Sequence, residues 1–545
     1  MSVVGQQAPT DAYSSDAGQA CKAPRVCVQN QVFTCGSPGS PGMRIETCAD
    51  ACSLGRCVST DCALAEASDA ARGCLFYGAR VDNIDSDADS PTMLLVSSAS
   101  DSGGSISVEA RAPGNGSPGD AWVPFASGFL GGRAAQRLWF TTPAALKSAG
   151  ATVAGGFRVV TEHPALVVQL DSANLDRTAQ STAGTVLRPA QSLGYRHRAM
   201  TYPQRTSNTV DRTPGSRAGA GQVVVVATQD GTVVNLTARV PVIAGADGSS
   251  VLASGAGGGL FPLDAGDAFQ FFSANEGDDL TGSLLESNHA IAVFSGNVYS
   301  SYGATVAGFN GGDSTLEQLP PVEAWGGEYV GAWLAPQANC DPLGPSNTGR
   351  WSVVAAEDGT SVSIAAASGA TLEGVPVQFT LAAGESRNFL VHGGTTPDGT
   401  VIPGDFVLSA AGEKRVLLGQ WLDCEPSLSW GVDTRHGVDG LSLVLPPGFD
   451  HELAIVRERR TDVTLDGTIL TTPFSPAGGD GRYEVGRIGS AELGPCRDLL
   501  DTCAVTLGSG ALGLTWRGMD SVCSYAVTVP PRGTACALPS TQCLE

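Results

Sequence analysis

The segment Val223–Leu236 (VVVVATQDGTVVNL) returns as Ser352–Ile364 (SVVAAEDGTSVSI), with Asp-Gly-Thr at 230–232 and again at 358–360. The two triplets lie 128 residues apart, and Leu319-Pro320-Pro321 recurs as Leu445-Pro446-Pro447 at an offset of 126, as does Asp313 as Asp439. A chain that repeats itself over such distances is built from copies of one supersecondary unit. Repeated β units more often build binding or scaffolding surfaces than a single catalytic pocket. An earlier, weaker copy places Leu187-Arg188-Pro189 before Gly194, as Leu319-Pro320-Pro321 precedes Gly326, at an offset of 132. A partial last copy carries Val463–Leu465 followed by Asp466-Gly467-Thr468.

Between these landmarks, short apolar runs alternate with turn residues. Met93–Ser97, Ile106–Ala110, Phe157–Val160 and Ala165–Leu170 come first. Val223–Thr228 and Val233–Thr237 flank an Asp-Gly pair, a pattern that predicts a hairpin. Ala268–Phe272, Leu280–Leu285 and His289–Gly296 follow, then Ser352–Ala356, Ser361–Ala365, Asn388–Val391, Phe406–Ser409 and Arg415–Gln420. Helical periodicity is confined to Ala63–Arg72 and Pro143–Ser148. The expected fold class is all-β: tandem β-sandwich-like modules preceded by a small disulfide-rich N-terminal segment, since each unit offers six or seven strands in roughly 110–130 residues. A propeller-like closed arrangement of the repeats is the alternative. The expected divisions are a tether at 1–20, a Cys-rich knot at 21–72, modules at 73–221, 222–350 and 351–458, and a partial module with a Cys-rich end at 459–545.

The net charge of -22 argues against nucleic-acid partners, which need a basic surface to displace counterions. No run approaches the ~20 apolar residues that span a bilayer, so no membrane insertion is expected. Lysine is nearly replaced by arginine and Ala and Gly abound, which reads as coding from a GC-rich bacterial genome. Fifteen cysteines, eight of them between Cys21 and Cys74, read as disulfides formed outside the cytosol. Four cysteines could instead close a zinc site, but no Cys-x2-Cys pair occurs in that stretch. Eight cysteines allow on the order of a hundred pairings, so connectivity is not legible. Met1–Pro9 is neither charged nor apolar enough for an export leader, so a leader, or a lipoprotein leader with its lipid anchor, is expected to have been removed.

Several of these residues carry a resemblance. Gly73-Cys74-Leu75-Phe76 with Asp82-Asn83, Gln222–Leu236, Ala292–Asn297, and Leu316-Glu317-Gln318-Leu319-Pro320-Pro321-Val322 leading to Trp325-Gly326 resemble the IgG-Fc-binding protein N-terminal domain family. Leu441–Pro447 and Cys523-Ser524-Tyr525 also fit, and the resemblance covers most of residues 73–530. That module begins a mucus glycoprotein and occurs in many bacterial secreted or surface proteins. The resemblance implies an extracellular adhesive or recognition role, without transferring a ligand. One departure is that Val298-Tyr299-Ser300-Ser301 stands where the family has a cysteine, so a disulfide there is absent or moved.

Candidate chemistry is sparse. Asp85, Asp87 and Asp89 have the alternate spacing that gathers carboxylate oxygens for Ca2+, but Val96 stands where an EF-hand needs Glu. A solvated turn is the competing reading, and Ca2+ there is the one cofactor considered. The Asp-Gly-Thr triplets resemble aspartic-protease loops, yet they sit between apolar runs and there are three, so they read as turns. His163, His197, His289, His392, His436 and His451 form no His-Glu-x-x-His pair. His163 and His289 hold equivalent places before apolar strands, which points to structure. Ser295 lacks the first glycine of a nucleophile elbow. Of eight tryptophans, Trp430 in Ser427–Gly431 is expected to be exposed on a loop.

No catalytic, cofactor or metal residue is therefore assigned, and the binding residues are not legible. The expected protein is a non-enzymatic recognition or adhesion protein, extracellular or on the outer cell surface, binding an extracellular protein or glycan through loops of repeated modules. A secreted polysaccharide hydrolase and a ligand-free envelope protein are the alternatives. The hydrolase would need two carboxylates facing each other across a cleft.

Overall fold

The computed structural model describes residues 25–35, 41–68, 71–81, 91–98, 100–112, 122–132, 134–171, 182–203, 219–244, 258–300, 313–334, 348–399, 401–422, 427–435, 437–438, 440–446, 449–493, 503–519 and 524–530. Two compact units divide the chain, Met1–Ala63 and Leu64–Glu545.

In the first unit, β1 (Arg25–Val28), β2 (Gln31–Cys35) and β3 (Pro41–Thr47) form one sheet, and β4 (Ala51–Ser53) pairs with β5 (Arg56–Val58). So little chain cannot bury a core of its own and needs covalent staples. Cys27–Cys52 and Cys48–Cys57 are bonded, and Cys35, Cys62 and Cys74 are in disulfides as well. The residues expected as a tether, 1–20, lie outside the described residues. Helix α1 (Thr60–Ser68) starts earlier than the periodicity indicated. No helix forms at 143–148, where the Thr142–Pro143 peptide is cis.

The second unit is all-β apart from α1, short 3-10 turns and α2 (Ser490–Leu493). Its first copy holds β6 (Gly73–Ala79), β7 (Thr92–Ser97), β8 (Gly104–Arg111), β9 (Trp122–Leu130), β10 (Ala135–Phe140), β11 (Gly150–Thr152), β12 (Gly156–Asp171) and β13 (Ala183–Leu187). The second holds β14 (Gly194–Arg198), β15 (Gly221–Ala227), β16 (Thr232–Thr237), β17 (Val242–Ile243), β18 (Gly258–Leu263), β19 (Ala268–Ser273), β20 (Leu284–Ser300) and β21 (Asp313–Gln318).

The third copy has β22 (Glu328–Gly331), β23 (Thr348–Ala355), β24 (Thr360–Ala366), β25 (Thr371–Glu373), β26 (Gln378–Leu381) and β27 (Ser386–His392). It continues with β28 (Gly394–Thr395), β29 (Val401–Ile402), β30 (Phe406–Ala410), β31 (Val416–Leu422), β32 (Ser427–Trp430) and β33 (Val432–Asp433). The fourth has β34 (Leu441–Leu445), β35 (Asp450–Glu458), β36 (Thr464–Leu465), β37 (Thr468–Ile469) and β38 (Phe474–Pro476). It ends with β39 (Tyr483–Gly489), β40 (Cys503–Leu507), β41 (Ala511–Met519) and β42 (Ser524–Thr528).

One pairing scheme runs through all four copies. A long strand bends and serves two sheets. The first half of β12 pairs with β6 and β8, and its second half with β7 and β13. β20 repeats this with β14 and β16, then β15 and β21. In the third and fourth copies the long strand is divided, into β30 with β31 and β40 with β41. Outer strands β9, β18, β26 and β37 extend one sheet of each copy, and β10, β19, β27 and β39 the other. Each copy is thus a sandwich of two sheets.

Two sequence expectations are corrected here. The runs at 157–160 and 165–170 are one strand, bent at Glu162-His163-Pro164, and Leu284–Ser300 is likewise one strand, so His163 and His289 mark the bend. Val223–Thr228 and Val233–Thr237 are no hairpin. β15 and β16 bond to different halves of β20, and the Asp-Gly corner carries the chain across the sandwich from one sheet to the other. The same holds for β23 and β24. Local turn chemistry sets where a chain reverses, not which strand it then pairs with.

The alternating sides of the inner strands explain why these runs are apolar throughout. Val223 and Val225 face the second copy's interior, whereas Val224 and Val226 join the first copy's apolar cluster. Val354, Leu417 and Trp421 of the third copy pack into the second. Ala454 and Val456 of the fourth meet Val330 and Val407 of the third. Met93 and Leu95 of the first copy share a cluster with Leu443 and Trp516 of the fourth. The copies therefore close on themselves, in the propeller-like arrangement named as the alternative. Each such side chain, fully buried, contributes roughly 1.5–3 kcal/mol relative to exposure.

Candidate functional site

At the middle of this ring, β13 touches β21 and β42, and β32 touches the same two strands. These four are the equivalent last strands of the copies, and the residues they bring inward are polar. Thr185, Glu317, Ser429 and Thr528 are all buried. The Thr185 hydroxyl donates to Glu317 Oε2 at 2.7 Å, and the backbone N–H of Gln318 donates to the Thr185 hydroxyl at 2.8 Å. On the other side the Thr528 hydroxyl donates to the carbonyl of Trp430 at 2.7 Å and accepts from its N–H at 3.0 Å. Side chains, not sheet ladders, tie these strands together.

Ionisable groups surround this centre. Burial pushes the Glu317 carboxyl well above the usual range, against the opposing effects of the Thr185 hydroxyl, the Thr528 N–H and the Arg188 charge. Arg188 is itself buried and pushed down to about 10 by desolvation. His197 is pushed down to about 3, by burial first and by Arg188 second, so it is a neutral ring at physiological pH. Tyr329 is pushed up by burial and by Asp433, and its hydroxyl accepts the Gly326 N–H at 2.8 Å. Among the described residues several polar atoms in this region have no hydrogen-bond partner: Glu317 Oε1, Arg188 Nε and both His197 nitrogens.

Gly73 and Gly194 begin equivalent strands, Gly326 lies two residues before the third, and all three pair just beyond the bend, with Ala165, Ile291 and Val416. Their equivalence places Phe76, His197 and Tyr329 at one buried position in three copies. A Cβ on Gly194 would lie 2.2 Å from Pro321 Cβ, and one on Gly73 2.5 Å from Pro189 Cβ. The Leu-x-Pro segment of one copy thus lies against the glycine of the copy before it. In the fourth copy, Leu445-Pro446 instead follows β34, which pairs as β14 and β22 do.

These positions belong to a recognised sequence pattern. The family model described as IgGFc binding protein matches residues 183–514, well over half of the chain. The chain belongs to this family. No curated protein matches it. No solved structure matches it either. In this member of the IgGFc binding protein family, the matched span runs from β13 into β41 and so contains both Glu317 and Arg188.

The residues singled out from sequence fall into place variously. The Asp85, Asp87 and Asp89 loop and His436 lie outside the described residues. Among the described residues no group of three or more His, Cys, Asp or Glu side chains is gathered to hold a metal ion. Asp230 and Asp358 pin neighbouring loops: Asp230 accepts the Ala265 N–H at 3.1 Å, and Asp358 the Ala383 N–H at 2.8 Å. Asp466-Gly467 differs. Both residues have positive φ, 49° and 76°, and they turn the tight β36–β37 hairpin.

The remaining singled-out residues serve packing and local bonding. Ser295 bonds Met200 through its hydroxyl, donating to the carbonyl at 2.7 Å. His451 is buried. Its Nε2 bonds the Pro446 carbonyl at 2.9 Å, and Nδ1 accepts the Trp516 indole N–H at 3.2 Å. His392 lies nearer the surface, bonded to Thr348 and Glu373. Trp430 is a correction. It lies on β32 at 8% exposure, packed in the second copy's cluster instead of on an exposed loop. Glu317 and Arg188 were missed, although one sequence signal existed: an acidic residue inside the Leu316–Val322 motif, in a strand buried at every position.

Proposed function

We propose that this member of the IgGFc binding protein family is a secreted or surface-exposed recognition protein, binding an extracellular protein or glycan without catalytic turnover. The observation that carries the reading is a repeated exposed apolar site on the rim. Phe129 on β9, Leu260 on β18, Val377 beside β26 and Ile469 on β37 are exposed by 65%, 68%, 67% and 53%. They fall on or beside the same outer strand in all four copies. Large apolar side chains kept in water along the same outer strand of each copy suit contact with a partner. The ring behind them is packed on both faces of its inner sheets, so the rim is presented on a stiff support. The disulfides of the N-terminal unit fit an oxidising compartment outside the cytosol, and among the described residues no helix is long and apolar enough to cross a membrane.

The test is a binding series with the purified chain over immobilised IgG Fc, mucin-type glycoprotein and a glycan array. Saturable binding to one of these, weakened at least about tenfold by Phe129→Ser with Leu260→Ser at unchanged thermal stability, supports recognition. That ratio corresponds to about 1.4 kcal/mol. Release of reducing ends from a polysaccharide panel supports a hydrolase instead, and silence in both assays a structural role.

A further inference from the structure

Glu317 sits where the four copies meet: it is carried by β21 of the second, a strand that touches β13 of the first, β32 of the third and β42 of the fourth. Its carboxyl is 1% exposed at the residue level. Oε2 accepts the Thr185 hydroxyl at 2.7 Å, while Oε1 has no partner. No arginine, lysine or histidine of the described residues stands within ion-pair distance of it. Arg188 acts on it only through its more distant charge.

An ionised carboxylate in that position would be a fully buried charge with no cation in contact, opposed only by the Thr185 hydroxyl and the Thr528 and Gln318 N–H groups, and burying an unpaired charge is costly. A neutral acid fits better. It keeps the Thr185 bond on Oε2, and an unpaired neutral O–H on Oε1 costs far less to bury than an unpaired charge. We propose that Glu317 is a neutral carboxylic acid at the ring centre, and that loss of its proton loosens the contact among the first, second and fourth copies.

The groups facing it from the packed elements are consistent with a one-proton latch. Thr185 and Arg188 come from β13 and the segment after it, Thr528 from β42 and Ser429 from β32, while Ser295 of β20 is its register partner. Arg188 in turn interacts with His197 and Tyr329, and Tyr329 with Asp433 and Arg435. Of these, His197 and Tyr329 are held neutral by burial. Desolvation also holds the Glu317 carboxyl far above its ordinary range. Since that pKa is raised by folding, the stabilisation is full below the unfolded carboxyl value and is lost as pH rises through the folded one.

The experiment compares urea unfolding of the whole oxidised chain with Glu317→Gln and Thr185→Val from pH 5 to pH 9. Gln reproduces the neutral acid in shape and hydrogen bonding. The expected result is a wild-type unfolding constant that grows with pH relative to that of Glu317→Gln, by up to about tenfold per pH unit. Parallel curves, whichever protein is the more stable, would show a Glu317 already ionised by pH 5 and overturn the proposal. Should Glu317→Gln fail to fold, Thr185→Val decides. Without that hydroxyl the acid holds its proton to higher pH, so the gap to wild type must stay constant below the wild-type titration and widen through it, and a gap that narrows as pH rises sinks the idea.

Discussion

The carboxylate of Asp230 accepts a hydrogen bond from the backbone N–H of Ala265, 35 residues along the chain and across the edge of the sandwich. Its repeat partner Asp358 does the same for Ala383. The threonines that follow are used alike: Thr232 donates its hydroxyl to the Gln229 carbonyl, and Thr360 to that of Glu357. In the second and third copies the conspicuous triplet is therefore a corner brace between two sheets, which accounts for its return there without a catalytic role.

Replacing Asp358 by Ala should cost about 0.5–1.5 kcal/mol, because an exposed backbone donor exchanges its acceptor for water. Asp230→Ala should cost more, since Asp230 also pairs with Arg111 at 2.8 Å. Thermal unfolding of the two single variants checks the order. Equal losses would show that the Arg111 pair contributes nothing.

Glycines with different reasons to exist should respond differently. Gly231 has φ +68° and open space around its Cβ direction, so Gly231→Ala carries only the strain of a left-handed backbone, roughly 1–2 kcal/mol. Gly194→Ala would drive a methyl to 2.2 Å from Pro321 and must push neighbouring copies of the ring apart. It should be the more damaging of the two in denaturant midpoint and in soluble yield.

The pH dependence has two arms of opposite sign. Burial raises Asp171 to about 6, so its contribution is present below the ordinary carboxyl range and disappears as pH climbs from about 4 to 6. His197 and His451 are lowered, to about 3 and about 4, so theirs is present above the ordinary histidine value and disappears as pH falls toward those values. Asp171→Asn should flatten the first arm and His451→Gln the second, read as denaturant midpoints from pH 3 to pH 8.

Within the N-terminal unit, Cys27–Cys52 spans 25 residues and Cys48–Cys57 spans 9. On the loop-entropy account the longer loop stabilises more, with bridges in this class worth about 2–4 kcal/mol. Cys27→Ser with Cys52→Ser should therefore open this unit to limited proteolysis sooner than loss of the shorter bridge. Digestion of the remainder of the chain at an unchanged rate would localise the effect.

Much of the strand inventory was legible from the sequence. Thr92–Ser97, Gly221–Ala227 and Val416–Leu422 announce themselves as β-branched or aliphatic runs bounded by turn residues. The bent strands were read as pairs because Glu162-His163-Pro164 and Ser287-Asn288-His289 interrupt the apolar pattern while the chain goes on pairing on both sides of the bend. Trp430 looked loop-like because serines flank it. Those serines are buried on β32, a fate that no local pattern reveals. Glu317 was read only as a piece of a motif, since a buried acid and a surface acid are the same letter.

The amino-acid order by itself determined that this chain is β-rich, repeated, disulfide-bonded near its start and a member of its family. Those properties rest on composition, spacing and local turn preference. Which strands share a sheet, that the last copy packs on the first, and that Thr185 meets Glu317 were decided only in three dimensions. Backbone hydrogen bonds between strands are the same for every residue type, so partners far apart in the chain are selected by how whole apolar faces fit together.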